Sequence, residues 1–271
     1  FKEFKSLSSE DNFLKHIKIN FIGEKGVDGG GLKREWFTLL IEEIFDKETG
    51  LFNFSIENSC YKLNPKSTNY EYIRFARIII ARALIDGQTI NANLSIPTWK
   101  DILHRPLKLN DLESANKDLY TSLNWIENTN VDPLDMYFVY STVNNETIPL
   151  KPNGDNIKLT NENKKEFIRL YYKYELESSI EKQKKSFVEG FDSLIPHEEI
   201  RIFTPNELNL LVCGIPKFDV EDFRKNICYE YPLNSNSPVV KFFFSAISKW
   251  NNEKLAKLLF FMTGCSRVPA N

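Results

Sequence analysis

Apolar side chains along this chain recur mostly at helical spacing. Leu32, Trp36, Leu39, Leu40 and Ile44 are separated by one, three or four residues, which predicts an amphipathic helix that stops by Gly50. Ahead of it, Ile17, Ile19 and Phe21 alternate with Lys18 and Asn20, the period of a strand with one wet face. Residues 51–67 read as a loop with short extended pieces. From 70 to 86, Ile73, Ala76, Ile80, Ala83 and Leu84 trace the buried face of a further helix, and its Arg74, Arg77 and Arg82 are expected on a solvated, salt-bridged face. Pro97 opens a short helix over 99–103, residues 110–113 cap another, and Leu119, Leu123 and Ile126 form an apolar stripe ending near Asn128.

The middle of the chain changes period. Residues 136–143 read as a strand, Asn144-Asn145 as a turn and 147–150 as the partner strand, with a second turn at 151–155 whose Asn-Gly pair supplies positive φ. Thr160 is the expected N-cap of one long helix over 161–190, with Phe167, Tyr171, Tyr172 and Tyr174 clustered in its first half. Such a stripe either packs on the domain body or presents a partner-docking surface. Beyond Pro205 a short helix covers 207–212. The Gly/Pro segment 213–217 is a plausible hinge, and two apolar helices follow at 239–247 and 253–262. Helices therefore dominate, with a small strand content.

Composition narrows the class. With 271 residues, 42% of them hydrophobic, the chain can bury a sizeable core as one or two domains, and a formal charge of −2 gives no basic field for nucleic acid. Cys60, Cys213, Cys228 and Cys265 are scattered without a CxxC pair, and His16, His104 and His197 add no zinc-ligand spacing, so no metal or cofactor is expected. Unpaired cysteines fit a reducing compartment, the cytoplasm with the nucleus also open. No membrane span or signal peptide is visible, although a first residue of Phe1 points to a fragment of something longer.

The glycine-rich stretch 23–31 invites a phosphate-binding reading, because backbone N–H groups at a loop-to-helix junction can cradle phosphates. The detailed pattern fails. After Gly26 and Gly31 the next residues are Leu32, Lys33 and Arg34, so the lysine stands one place late and the magnesium-binding hydroxyl is missing. Gly29 and Gly31 are followed by Arg34 where a dinucleotide fold needs its third glycine. A structural turn built on glycine's access to positive φ explains the stretch instead.

Six blocks carry a resemblance over nearly the whole chain. They are residues 21–37 around the glycine turn; Phe75-Ala-Arg-Ile-Ile-Ile-Ala-Arg-Ala-Leu84; Leu112-Glu-Ser114 leading to Ser122-Leu-Asn-Trp125; Leu150-Lys-Pro-Asn-Gly154 with Thr160-Asn-Glu-Asn-Lys164; Ile180-Glu-Lys-Gln183 with 187–191; and Thr263-Gly-Cys-Ser-Arg-Val-Pro269. In this order and spacing the chain resembles the HECT domain of E3 ubiquitin-protein ligases. The resemblance implies an α+β, mainly helical, bilobed fold: an N-lobe over 1–213 with an E2-binding subdomain at about 132–196, a hinge at 214–219 and the start of a C-lobe over 220–271. The groove for the E2 ubiquitin-conjugating enzyme would be lined by Leu119, Leu123, Leu134, Met136, Phe167 and Tyr171, and Gly214, Ile215, Pro216 and Lys217 would form the hinge.

By the same resemblance, the parent protein accepts ubiquitin from an E2 as a cysteine thioester and passes it to substrate lysines, using ubiquitin, E2 enzymes and protein substrates as partners. The family's nucleophile is a cysteine flanked by Thr and Phe beyond the Thr-Gly-x-x-Arg-x-Pro block, so it is expected past Asn271. The fragment is then expected to keep E2 docking without forming the thioester. Cys265 lies inside that block but has no histidine near it in sequence, and Cys213, behind Leu210-Leu-Val212, is expected to be a small buried hydrophobe. The alternatives are a non-catalytic HECT-like scaffold that binds E2 or ubiquitin, and an unrelated nucleotide-dependent enzyme using the glycine turn.

Overall fold

The computed structural model describes residues 17–23, 31–142, 146–192, 194–215, 217–263 and 267–268. The fold is α+β and mainly helical. Helices α1 (Gly31–Phe45), α2 (Tyr70–Ile85), α3 (Ile96–Ile102), α4 (Leu112–Ala115), α5 (Lys117–Asn128), α6 (Lys164–Leu176), α7 (Glu181–Asp192), α8 (His197–Ile200), α9 (Pro205–Cys213), α10 (Val220–Asn226), α11 (Pro238–Ile247) and α12 (Asn252–Thr263) frame two short hairpins. In the first hairpin β1 (Phe52–Ser55) pairs antiparallel with β2 (Cys60–Leu63), Phe52 opposite Leu63. In the second, β3 (Val139–Ser141) pairs antiparallel with β4 (Thr147–Pro149), Tyr140 opposite Ile148. The expected Asn144-Asn145 turn lies outside the described residues, as do most of the glycine stretch and of the block at 263–269.

The chain divides into two compact units, one drawing on the segments up to residue 43, 79–91 and from 207 onward, the other on 44–78 and 92–206. In the first, Phe218, Val240, Phe244, Ile247, Leu255 and Leu259 form one core cluster. Val240, Phe244 and Ile247 fall three and four residues apart on α11, so the helical period itself aims them inward. Pro238 at the first turn of that helix and Asp219, whose carboxylate accepts from the backbone N–H of Glu221 and Asp222 at the start of α10, fix the two N-termini.

The second unit holds a core cluster centred on Leu112, Leu123, Ile126, Val131, Phe138, Leu159, Phe167 and Leu176. The helix carrying Leu123 begins at Asn116, whose side chain accepts from Leu119 N at 3.2 Å. Further along, Gln183 of α7 is buried and donates to Pro65 O at 2.9 Å and to Ser67 O at 2.8 Å, which satisfies a polar group inside the core.

Three local expectations change. Residues 17–21 are not in a strand, because an alternating segment needs a neighbour to complete its ladder and none pairs with it among the described residues. The helix expected over 161–190 is two. Asn163 accepts from Thr160 N at 2.8 Å and precedes the start of α6, and at Glu177 the backbone leaves helical geometry before a 3₁₀ turn over Ser178–Ile180. Ser179 Oγ donates to Glu175 O at 2.9 Å there, the kind of local bond through which serine competes with a continuing helix. The arginines of α2 do not form a solvated face. Arg74 is exposed, but Arg77 is fully buried with its guanidinium 6.0 Å from the Phe187 ring, and Arg82 is 3% exposed. Arg82 reaches both oxygens of Asp86 at 3.0 and 2.7 Å, and Lys33 stands 3.5 Å from the same carboxylate, so pairing offsets the desolvation.

Candidate docking site

The structure brings all six sequence-predicted docking residues to one cluster. Leu119 and Leu123 come from α5, Leu134 and Met136 from the loop before β3, Phe167 and Tyr171 from α6. The four-residue steps within α5 and α6 place each helical pair on one face. The loop residues are held by backbone bonds: Leu134 N to Val131 O at 2.9 Å, and Leu159 N to Met136 O at 2.7 Å. Just before α6, Asn161 ties the loop at 130–132 down by donating to Asp132 and accepting from Val131 N.

Depth separates the six. Leu123 and Phe167 are each 1% exposed and belong to the core, whereas Leu119, Leu134, Met136 and Tyr171 pack against it and stay half-buried. Phe167 meets Phe138 edge to face and Tyr171 at 5.4 Å between centroids, so it supports the visible surface from beneath. Tyr171 packs at a tilt against Tyr140, with centroids 4.9 Å apart, and Tyr140 likewise against Tyr174 at 4.5 Å. Burial pushes the Tyr171 phenol up from its usual range, opposed by a hydrogen bond from the Ser141 backbone. The Tyr140 phenol is pushed further up by burial and by the Glu175 carboxylate beside it.

Two exposed aromatic residues near this cluster were not assigned from sequence. Trp125 is 54% exposed and Tyr137 36%. Trp125 falls in the series Asp118, Thr121, Ser122, Trp125 and Asn128, the polar face of α5, where a large apolar residue is out of pattern. That mismatch was the signal available in the sequence.

The residues expected to form a hinge have a distinct geometry. Gly214 takes φ +67, and a Cβ on it would stand 2.6 Å from Val268 O, so both conformation and space demand glycine. Ile215 and Val268 exchange backbone bonds of 2.7 and 3.2 Å in an isolated antiparallel bridge. Lys217 is exposed, and Pro216 lies outside the described residues.

Among the described residues no cluster of His, Cys, Asp and Glu could hold a metal, and no helix is long and apolar enough to cross a membrane. Cys60 is buried and its thiol donates to Ser114 O at 3.2 Å; burial raises its pKa, with Lys62 opposing. A thiol held protonated in this way is a poor nucleophile. Cys213 is fully buried, as a small hydrophobe would be, and Cys228 is exposed. Cys265 lies outside the described residues.

Residues 38–271 match the family model described as HECT-domain (ubiquitin-transferase). The chain is 37% identical over 270 residues to the E3 ubiquitin-protein ligase NEDD4 of Homo sapiens, an alignment covering 96% of this chain and 20% of that protein. It is 38% identical over 272 residues to the E3 ubiquitin-protein ligase pub1 of Schizosaccharomyces pombe, covering 97% and 35%. It is 35% identical over 276 residues to the E3 ubiquitin-protein ligase RSP5 of Chaetomium thermophilum, covering 98% and 34%. The chain thus spans between a fifth and about a third of the length of these relatives. With a family model matched over most of its length and relatives of this similarity across nearly all of it, the chain belongs to the HECT-domain family.

Proposed function

We propose that the chain is the E2-docking part of a HECT-type E3 ubiquitin ligase. The observation that carries this reading is that Leu119, Leu134, Met136 and Tyr171, all half-buried, pack against one core cluster that includes Leu123 and Phe167. An E2 meets the four half-buried residues, while the two buried ones hold them at the right height. Large aromatic and apolar side chains on a packed support are the usual anchors of such a contact. Trp125 and Tyr137 add exposed aromatic area on the same subdomain, about 132–196 with the preceding α5.

In this reading residues 1–213 form an N-lobe, 214–219 a hinge and 220–271 part of a C-lobe. Ubiquitin arrives as a thioester on the E2. A ligase thiolate attacks the thioester carbonyl, the E2 sulfur leaves, and a substrate lysine amine then attacks the new thioester to give an amide and free the ligase thiol. Each attack needs the nucleophile within bonding reach of the same carbonyl, so one lobe must move between two positions. Gly214 supplies a backbone conformation that other residues resist. We assign the thioester to none of the four cysteines of this chain: Cys60 and Cys213 are buried, and neither Cys228 nor Cys265 has the Thr and Phe neighbours that the resemblance gives the nucleophile. The chain by itself then docks an E2 without accepting ubiquitin, and acts in a reducing compartment such as the cytoplasm or nucleus, with no nucleic acid, membrane or cofactor required.

The test is a titration of the chain against a panel of E2 enzymes, followed by Tyr171→Ala. Binding to at least one E2, weakened by about 2 kcal/mol in the variant, is the expected result. Failure of the whole panel to bind, or an unchanged affinity in the variant, refutes the assignment. Transfer of ubiquitin from a charged E2 to the chain as a reductant-sensitive adduct would show that one of its own cysteines is the nucleophile.

A further inference from the structure

Glu175 stands one helical turn after Tyr171, and its carboxylate bonds both the strand that carries Tyr140 and the N-cap of α5. Oε2 accepts from the Tyr140 hydroxyl at 2.5 Å, and the Tyr140 ring packs at a tilt against Tyr171, one of the half-buried docking residues. Oε1 accepts from Asn116 Nδ2 at 3.2 Å, and the other end of the same amide caps α5 by accepting from the N–H of Leu119, a second docking residue. Lys62 of β2 stands 3.7 Å from Oε1, which ties the group to the first hairpin. The Glu175 side chain is only 14% exposed, so these contacts operate largely out of water. Glu175 also lies in the last turn of α6, where the helix dipole disfavours an anion. Its three partners supply the opposing stabilisation.

We propose that Glu175 is a positioning residue for E2 docking: its carboxylate fixes Tyr140 and Asn116, and through them sets Tyr171 and Leu119 on one surface anchored to the first hairpin. The proposal rests on the docking reading above. Tyr140 is suited to the role because burial and the neighbouring carboxylate keep its phenol protonated, so it remains a donor across any working pH. Lys62 is suited because it is partly buried, 32% exposed, where its attraction for the carboxylate is less screened than at an open surface.

The experiment measures the affinity of fluorescein-labelled E2 enzymes for the wild-type chain, Glu175→Ala, Glu175→Gln, Tyr140→Phe and the Glu175→Ala/Tyr140→Phe pair, with the folded fraction of each read by thermal unfolding. Glu175→Ala is expected to weaken binding by about fivefold or more at full folding, the usual size of coupling between linked sites. Glu175→Gln, which keeps an acceptor, should recover part of that loss. In the double variant Tyr140→Phe should cost nothing further, because both changes break one path; a merely structural role gives additive losses. A ¹³Cζ tyrosine spectrum adds a readout independent of the E2: the Tyr171 resonance should move in Glu175→Ala. Wild-type binding that Glu175→Ala leaves intact overturns the positioning role alone, as does additivity in the pair. Absence of E2 binding by the wild type overturns the docking reading, and the positioning role falls with it. Should Glu175→Ala fail to fold, Tyr140→Phe, which removes one oxygen, decides the matter by the same affinity criterion.

Discussion

Phe138 and Phe167 meet edge to face, with ring centroids 5.5 Å apart and planes at 89°. Each is 1% exposed or less, so this pair sits beneath the proposed docking surface and not on it. The consequence for mutation is direct. Phe167→Ala removes a core side chain and should destabilise the chain by about 3–5 kcal/mol. Tyr171→Ala should leave the fold largely intact and weaken E2 binding instead. Denaturant unfolding and E2 titration on both variants check the contrast; a fully stable Phe167→Ala with weakened binding would return Phe167 to the surface.

The same pair depends on a close backbone approach. Gly154 is buried, and a Cβ placed on it would stand 2.4 Å from Phe138 O, a distance that real structures do not tolerate. Gly154 O also accepts from Phe138 N at 3.0 Å, so neither strand of the contact can retreat without losing that bond. Gly154→Ala is therefore expected to cost about 1–3 kcal/mol, the range of an overpacked core, and to broaden the Phe138 and Phe167 ring signals. Chemical denaturation with unchanged m-value is the measurement, and a variant as stable as wild type would show that the approach relaxes.

Much of this was legible in the sequence because it depends on period. The stripe of α2, the stop at Gly50 and the two apolar helices α11 and α12 stand where spacing put them. Four-residue steps were also enough to gather Leu119 with Leu123 and Phe167 with Tyr171. Depth was not legible: spacing gives a face, but whether a face is lined or covered depends on Phe138 and Val131, which reach it from the segment before β3. Arg77 and Arg82 show the same limit from the polar side, since only tertiary partners such as Phe187 and Asp86 make their burial tolerable. At Glu177 the backbone leaves helical geometry although the apolar spacing runs on, so helical periodicity does not register the break.

Gly214 carries a different constraint. At φ +67 any other residue meets strain of roughly 1–2 kcal/mol, and here a Cβ also runs into Val268 O at 2.6 Å and Thr89 Cγ2 at 3.2 Å. Gly214→Ala should thus break the Ile215–Val268 bridge and speed amide exchange at both residues, with little effect on E2 affinity at the second unit. Hydrogen exchange at Ile215 and Val268 resolves this: unchanged protection would mean that the segment accommodates the methyl group.

Asp101 offers a pH signature. It is 5% exposed on α3, and Lys184 of α7 stands 2.5 Å from Oδ1. Burial pushes its carboxyl up to about 6, and Lys184 only partly opposes the shift. A raised carboxyl pKa means that the folded chain holds this proton more tightly than the unfolded one, whose aspartate titrates near 4. Between about pH 4 and pH 6 the unfolded state therefore binds fewer protons, and the contribution of Asp101 to stability falls as pH rises through that window. It is flat below the unfolded value and above the folded one. Asp101→Asn removes the titration, so the stability difference between wild type and variant should decline by on the order of 2 kcal/mol from pH 4 to pH 6.5. Subtracting the variant cancels the groups common to both. Parallel pH profiles would mean that the carboxyl titrates normally, and a difference that grows with pH would mean that Lys184 outweighs burial and holds Asp101 ionised.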